Sequence, residues 1–309
     1  MWSRRTFLEH GSLALAAMTC LSVRAAGRQH GPLGRPIGLQ LYTVREAIAK
    51  DLPGTLRQLA AIGYREVELA DLPAQPVAEM KALLEDCGLT APSMHASMVD
   101  LQTGLQQRID YAKGLGVQYL VCSFPWTSDA RFRNAPGGPA QALASGMTLD
   151  DWKWNAEQLN RIGEITNKAG LRCGYHNHNM EFRSHDGVVA YDELLRATDP
   201  ALVAMELDIA WVVTAGVDPL HYLSNHADRI SLLHVKEVRK NAQTAVDRLN
   251  AQTTEVGSGQ IDWRRLFAAM SPDRIRHYFV EQENFERPPL EAVKVSFEYL
   301  RRLEVSREP

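Results

Sequence analysis

Leu171-Arg172-Cys173-Gly174-Tyr175-His176-Asn177-His178-Asn179-Met180-Glu181 is the stretch whose reading decides the fold. A short apolar run ends here in polar residues of metal-ligating type, and the arrangement recurs downstream. Asp208 follows Val203 to Leu207, His234 and Lys236 follow Ile230 to Leu233, and Glu281 follows Tyr278 to Val280. Side chains alternate faces along a strand. His176 and His178 therefore share a face, as do His234 and Lys236, and Glu281 and Glu283. A lone histidine at a strand end is ordinarily a hydrogen-bonded structural residue. Here separate strands deliver His, Asp and Glu at one level, and unpaired buried carboxylates are costly. Carboxylates and imidazoles so placed are what a divalent metal site on the C-terminal face of a barrel needs.

Working outward, eight β-like runs alternate with amphipathic stretches, the pattern of parallel βα units. The runs are Ile37 to Leu41, Glu66 to Leu69, Ala91 to Met94, Tyr119 to Ser123, Leu171 to Tyr175, Val203 to Leu207, Ile230 to Leu233 and His277 to Val280. Helices are expected between them, among them Leu52 to Ile62 and Val77 to Cys87. Gly63, Gly88, Gly116 and Gly170 stand where a glycine stops a helix before the next strand. The fold class is α/β, a single (β/α)8 barrel over residues 27–309. Two excursions break the spacing, Pro125 to Met147 and Lys240 to Gln260; both leave strand ends, and loops this long are commonly functional, so both are candidate substrate lids.

Length and composition fit one such domain: 309 residues, 45% hydrophobic and 23% charged. A net charge of −3, with Lys and Arg scattered, provides no basic footprint for nucleic acid. Residues 1–26 read as a twin-arginine export signal, with Ser3-Arg4-Arg5-Thr6-Phe7-Leu8 ahead of an apolar stretch from Gly11 to Val23 and Ala25-Ala26 at the expected cleavage point. A buried N-terminal helix is the alternative. The expected location is the periplasm, with no membrane span remaining after cleavage. Cys20 is a weak match to a lipoprotein cysteine, because Ala17-Met18-Thr19 lacks the usual leucine. Cys87, Cys122 and Cys173 form no CxxC motif and read as small apolar residues rather than a disulfide framework.

The chain resembles the xylose isomerase-like sugar isomerase and epimerase family of TIM barrels, over roughly Ile37 to Leu303. The resemblance is carried by Gly38-Leu39-Gln40-Leu41-Tyr42-Thr43-Val44-Arg45, Gly63-Tyr64-Arg65-Glu66-Val67-Glu68, and Tyr175-His176-Asn177-His178-Asn179-Met180-Glu181-Phe182. It continues in Glu206-Leu207-Asp208-Ile209-Ala210-Trp211 with Ala215-Gly216-Val217-Asp218-Pro219, and in His234-Val235-Lys236-Glu237. Gly257-Ser258-Gly259 with Ile261-Asp262-Trp263 and then Val280-Glu281-Gln282 complete it. Each motif is weak alone; their order and spacing are specific.

The resemblance implies one divalent ion, manganese, magnesium, cobalt or zinc, with Asp208, His234 and Glu281 as ligands from the sixth, seventh and eighth strands. Many relatives carry a Glu at the fifth strand end, where this chain has His176. Glu181 is the expected fourth ligand, with His176 and His178 facing substrate or ligating in its place. A mixed nitrogen and oxygen set suits a borderline or hard ion. Bridging a hydroxyl and a carbonyl oxygen, such an ion favours removal of the neighbouring proton by a carboxylate, Glu281 or Glu181. Lys236 would stabilise the oxyanion or protonate a leaving group. His95, Gln40, Tyr42 and Trp211 are expected to line the sugar pocket, Trp211 by stacking; for Glu66 and Glu68 a structural salt bridge is at least as good a reading.

Together these imply a metal-dependent isomerase or epimerase acting on a small non-phosphorylated sugar or keto-sugar. The same chemistry with a leaving group on the next carbon makes a lyase or hydratase on 3-keto-glycosides or an inosose. A non-catalytic periplasmic sugar-binding protein would not need the full ligand set, and a metal-dependent nuclease would need a basic groove. The sequence leaves a homo-oligomer open.

Overall fold

Eight parallel strands carry the alternation read in the sequence: β1 Gly38–Gln40, β2 Glu66–Leu69, β3 Thr90–Ser97, β4 Tyr119–Phe124, β5 Arg172–His176, β6 Val203–Asp208, β7 Ile230–Val238 and β8 His277–Glu281. Each pairs with the next and β8 pairs with β1, closing the sheet into a (β/α)8 barrel. The computed structural model describes residues 30–306 apart from 128, 130, 131, 133–137, 248 and 250. The export signal expected over residues 1–26, Cys20 included, lies outside the described residues.

Helices fill the intervals, and Leu52–Ile62 and Val77–Cys87 coincide with the stretches read from periodicity. Gly63, Gly88, Gly116 and Gly170 have φ of 128°, 64°, 86° and 83° and follow helix ends, as expected of stop residues. Inward and outward faces then separate. Along β6, Met205 and Leu207 face the helices, while Ala204, Glu206 and Asp208 alternate with them. Ala204 joins Tyr119, Val121, Leu232 and Phe279 in a small apolar cluster separate from the main core. By strand parity this cluster is the barrel's own interior, below the polar residues. Burying each large member contributes about 1.5–3 kcal/mol. Gly38 belongs to the same tight layer, since a Cβ there would meet the Phe279 ring at 2.4 Å.

Register levels the polar residues. Gln40 pairs with Glu68, His176 with Glu206, Asp208 with His234, and Lys236 with Glu281. The seventh strand runs five residues beyond its expected end because Thr253–Thr254 pairs antiparallel with Val238 and Glu237. Glu237 anchors that second excursion. Its carboxylate accepts from the backbone N–H of Val238, Gly257 and Ile261 and from Trp263 Nε1 at 2.7 Å. A Cβ at Gly259 would stand 2.0 Å from the Val238 carbonyl oxygen, so the Gly257-Ser258-Gly259 motif closes around this carboxylate.

The first excursion contains the helix Pro139–Gly146. Gln141 ties it to the second by donating to the Asp247 carbonyl at 2.6 Å. Cys122 and Cys173 are free and buried, and Cys87 is half-buried and free. No helix among the described residues is long and apolar enough to cross a membrane.

Candidate metal centre and active site

Four side chains from four consecutive strands converge at the C-terminal end of the barrel: His176, Asp208, His234 and Glu281, whose ligand atoms lie within 4.8 Å of one another. All four are buried. His234 Nδ1 lies 2.9 Å from Glu281 Oε2 and 3.7 Å from Asp208 Oδ2. Asp208 works with both oxygens. Oδ1 caps the helix Ile209–Thr214 by accepting from Trp211 N at 3.0 Å, while Oδ2 is buried with no hydrogen-bond partner. A buried carboxylate oxygen aimed at two imidazoles and a second carboxylate is a strong acceptor left for a cation. The donor set fits a borderline or hard divalent ion.

Local sequence explains the His-Asn-His motif. His176 and His178 point inwards, and Asn177 between them ties β5 to β6. Asn177 Oδ1 accepts from Asp208 N at 3.0 Å and Nδ2 donates to the Asp208 carbonyl at 3.4 Å. Glu181, expected as the fourth ligand and as a base, is placed elsewhere. Its carboxylate accepts from the Tyr175 hydroxyl at 2.7 Å and from His178 N at 3.0 Å, which fixes the loop, and it lies outside the cluster of His176, Asp208, His234 and Glu281. Burial pushes its carboxyl up to about 7. The short turn after β5 curls Glu181 back beneath His178, and the fifth strand contributes His176 instead.

Beneath the four lies a second polar layer containing Glu206, to which the sequence assigns no role, and Glu68, for which a structural salt bridge is at least as good a reading as a pocket role. Glu68 Oε2 accepts from Gln40 Nε2 at 2.7 Å and lies 2.7 Å from His234 Nε2 and 3.1 Å from His95 Nε2; Oε1 accepts from Ser93 at 2.5 Å. Glu206 Oε2 lies 2.7 Å from His95 Nε2 and 3.1 Å from His176 Nδ1. Imidazoles that ligate a metal commonly give their second ring N–H to a carboxylate, which fixes tautomer and orientation. Glu68 behind His234 and Glu206 behind His176 have that relation to the cluster. Parity was the available signal, since Glu206 stands two residues before Asp208 and Glu68 pairs with Gln40. Burial pushes Glu206 up to about 7, with Glu68 beside it adding to the effect. Burial alone would lower His95, but Glu68 and Glu206 outweigh it and push the imidazole up to about 10. Glu66, by contrast, pairs with His277 at 2.8 Å near the other end of the strands and is structural.

Above the cluster opens a cavity of about 280 Å³. Gln40, Tyr42, His95, His176, His178 and Trp211 all line it, together with Lys236, Glu281 and Glu283. Gln40 also caps the turn that holds Tyr42, accepting from Tyr42 N at 3.0 Å. Lys236 is fully buried, 3.1 Å from Glu281, 3.6 Å from Asp208 and in contact with Glu283. Burial alone would lower its pKa; Glu281, Glu283 and Asp208 outweigh burial and raise it, fixing the ammonium form. Trp211 is only 2% exposed. Lys236 Nζ sits 4.7 Å from its ring centre and the His178 ring 5.2 Å, so Trp211 is a wall between these two rather than an open stacking platform. Burial, then the Lys236 charge, holds His178 down to about 3, so its imidazole is neutral.

A family model described as xylose isomerase-like TIM barrel matches residues 56–303. The chain belongs to the xylose isomerase-like TIM barrel family. An inosose dehydratase of Geobacillus kaustophilus is 25% identical over 289 residues, 82% of this chain and 90% of that protein. An inosose dehydratase of Clostridium perfringens is 27% identical over 265 residues, 80% of this chain and 88% of that one. Among solved structures, a sugar phosphate isomerase/epimerase from Parabacteroides distasonis superposes with a TM-score of 0.69 at 26% identity, covering 86% of this chain and 93% of its own. These relatives are enzymes of small carbohydrates, and the buried His and carboxylate cluster lies where a xylose isomerase-like barrel carries its site, at the C-terminal strand ends.

Proposed function

We propose that the protein is a divalent-metal-dependent lyase. Its reaction removes the proton beside the carbonyl of an uncharged keto-sugar, 3-keto-glycoside or keto-cyclitol and expels the oxygen substituent on the next carbon. The observation that carries this reading is Asp208 Oδ2, buried and without a hydrogen-bond partner among His176, His234 and Glu281. Manganese, magnesium, cobalt or zinc held by these four residues would supply positive charge beside the carbonyl and acidify the neighbouring C–H.

The remaining work falls to the chain's own side chains. His178 lines the cavity and its Nδ1 is buried without a hydrogen-bond partner, so its lone pair is the one placed to accept the proton. Glu281 lies inside the ligand cluster and Glu181 outside the cavity, so neither takes that role. Lys236 faces the negative charge that develops on the carbonyl oxygen and stabilises it as a fixed ammonium. The C–H electron pair becomes the new C=C bond and the C–O bond on the next carbon breaks with its own pair. The departing oxygen takes the proton from the His178 imidazolium, so water or an alcohol leaves and no redox partner is needed.

Inversion of a carbon needs a second proton carrier, and of the other cavity groups Glu283 is bound to Lys236 and Lys236 is held in its charged form. Relatives named inosose dehydratase support elimination. Among the described residues lining the cavity, Lys236 is the single Lys or Arg, and it already faces three carboxylates, which supports an uncharged substrate over a phosphorylated one. Export to the periplasm through residues 1–26 belongs to the same reading, because phosphorylated sugars are scarce there.

A second reading, isomerase or epimerase, draws on the likeness to the Parabacteroides distasonis isomerase/epimerase; proton return to a neighbouring carbon gives isomerisation, and return to the other face of the same carbon gives epimerisation. The test is incubation of metal-loaded protein with a panel of free keto-sugars and 3-keto-glycosides in deuterated water, followed by NMR. Loss of an alcohol or water with a new alkene is the expected result. Deuterium entering a rearranged sugar without elimination would select the second reading, and sugar binding with no exchange would leave a binding protein.

A further inference from the structure

Ala70, the residue after β2, lines both the cavity over the metal cluster and a second cavity of about 410 Å³. The two are adjacent and chemically opposite. The first is walled largely by histidines, Gln40, Lys236 and glutamates. The second lies between the helix Arg45–Lys50 and the segment after β2, and its wall is made of Leu41, Ile48, Leu52, Leu69, Leu72 and Met80. Its rim carries two charged side chains, Arg45 and Asp71. Arg45 lies over the Tyr42 ring at 4.2 Å and donates to the Tyr42 carbonyl, and Asp71 is held by Arg108 at 3.2 Å. An apolar recess next to a polar catalytic cavity marks a place for the apolar part of an amphipathic ligand.

We propose that this recess is the leaving-group subsite, which takes an aromatic or alkyl aglycone while the sugar ring occupies the polar cavity. The inference rests on the lyase reading above and specifies its substrate class as glycosides with apolar aglycones. Three features select this occupant. The two cavities share one small wall residue, Ala70. The polar cavity, about 280 Å³, is sized for a single sugar ring and leaves an aglycone to lie outside it. Tyr42, 44% exposed, lines the polar cavity while its neighbour Arg45 lines the apolar one, so the bond between sugar and aglycone would cross at this rim.

The test is equilibrium titration of the manganese-loaded full chain with methyl β-glucoside, 2-naphthyl β-glucoside and 2-naphthol, none of which has a carbonyl and so none reacts. Wild type, Ile48→Glu and Leu72→Glu are compared, two half-buried positions on different segments. The naphthyl glucoside is expected to bind wild type about tenfold or more tighter than the methyl glucoside, the ratio given by burying the equivalent of roughly two methylenes. In each variant that ratio falls towards one. Naphthol alone is expected to bind wild type, compete with the naphthyl glucoside, and lose affinity in both variants. Equal affinity for the two glucosides in wild type, or a naphthyl preference that survives both variants, overturns the proposal. Naphthol binding lost in the variants while neither glucoside binds would sustain the subsite and defeat the sugar reading instead. A wild-type dimer dissociated by Ile48→Glu, with no naphthol bound, would give the surface to a second copy of the chain and overturn the subsite.

Discussion

Replacing Glu68 separates the second polar layer from mere packing. Glu68→Ala removes one acceptor from four donors: Gln40 and His234 at 2.7 Å, Ser93 at 2.5 Å and His95 at 3.1 Å. The loss is tempered because His95 keeps Glu206 at 2.7 Å and His234 keeps it at 3.4 Å. Breaking a buried charged pair costs about 3–5 kcal/mol, and the surviving partners put this change near the lower end. Metal affinity responds separately, since an unrestrained His234 ring loses orientation, with an expected weakening of about 10–100-fold. Glu68→Gln keeps the volume and one acceptor oxygen but turns an amide N–H₂ towards donors. It should cost only about 1–2 kcal/mol of stability while still weakening the metal. Urea unfolding followed by circular dichroism reads the first quantity, and competition against a chromophoric chelator reads the second. Both variants binding metal within about twofold of wild type would refute the idea that Glu68 acts through His234.

Asp208→Ala and His234→Ala should each abolish bound metal and turnover, measured by elemental analysis after dialysis; full activity retained in either, after chelation, would end the metal mechanism. His176→Ala should lose metal whereas Glu181→Gln keeps it, and the opposite pattern would restore Glu181 as the fifth-strand ligand. Lys236→Met should retain metal but slow turnover by about 10²-fold, the scale of removing one oxyanion-stabilising group; loss of metal would show that its charge holds Glu281 in place. Changing Arg4 and Arg5 to Lys should leave precursor in the cytoplasm on fractionation, and unchanged export would reject a twin-arginine signal.

The barrel was legible because its signals are local. Period-two runs, period-3.6 stretches and glycines with positive φ each depend on a few neighbouring residues. That Asp208, His234 and Glu281 meet at one level was legible too, since a polar residue ending an apolar strand needs no partner to be noticed. Glu181 and Glu206 show where that logic stops. Both are carboxylates near strand ends, and sequence distance favours Glu181 as a ligand because it follows the histidines. Yet the short turn after β5 returns Glu181 to the Tyr175 hydroxyl, while Glu206 lies inside a strand, two residues before a ligand and on its face. What separates them is register between strands. The pairing of His176 with Glu206 and of Gln40 with Glu68 sets which carboxylate stands behind which imidazole. Register is a property of the closed sheet, so a metal's first ligands can be read one strand at a time, whereas the layer that orients them appears only when the barrel closes. The same holds for the apolar recess at Ala70. Its wall joins residues from the turn after β1, the helices that follow it, the end of β2 and the segment beyond, and Met80 of the helix Val77–Cys87, and no single stretch announces it. If that recess receives the aglycone, substrate choice in this protein is set by side chains that touch neither the metal nor the sugar, and can change without disturbing the chemistry beneath.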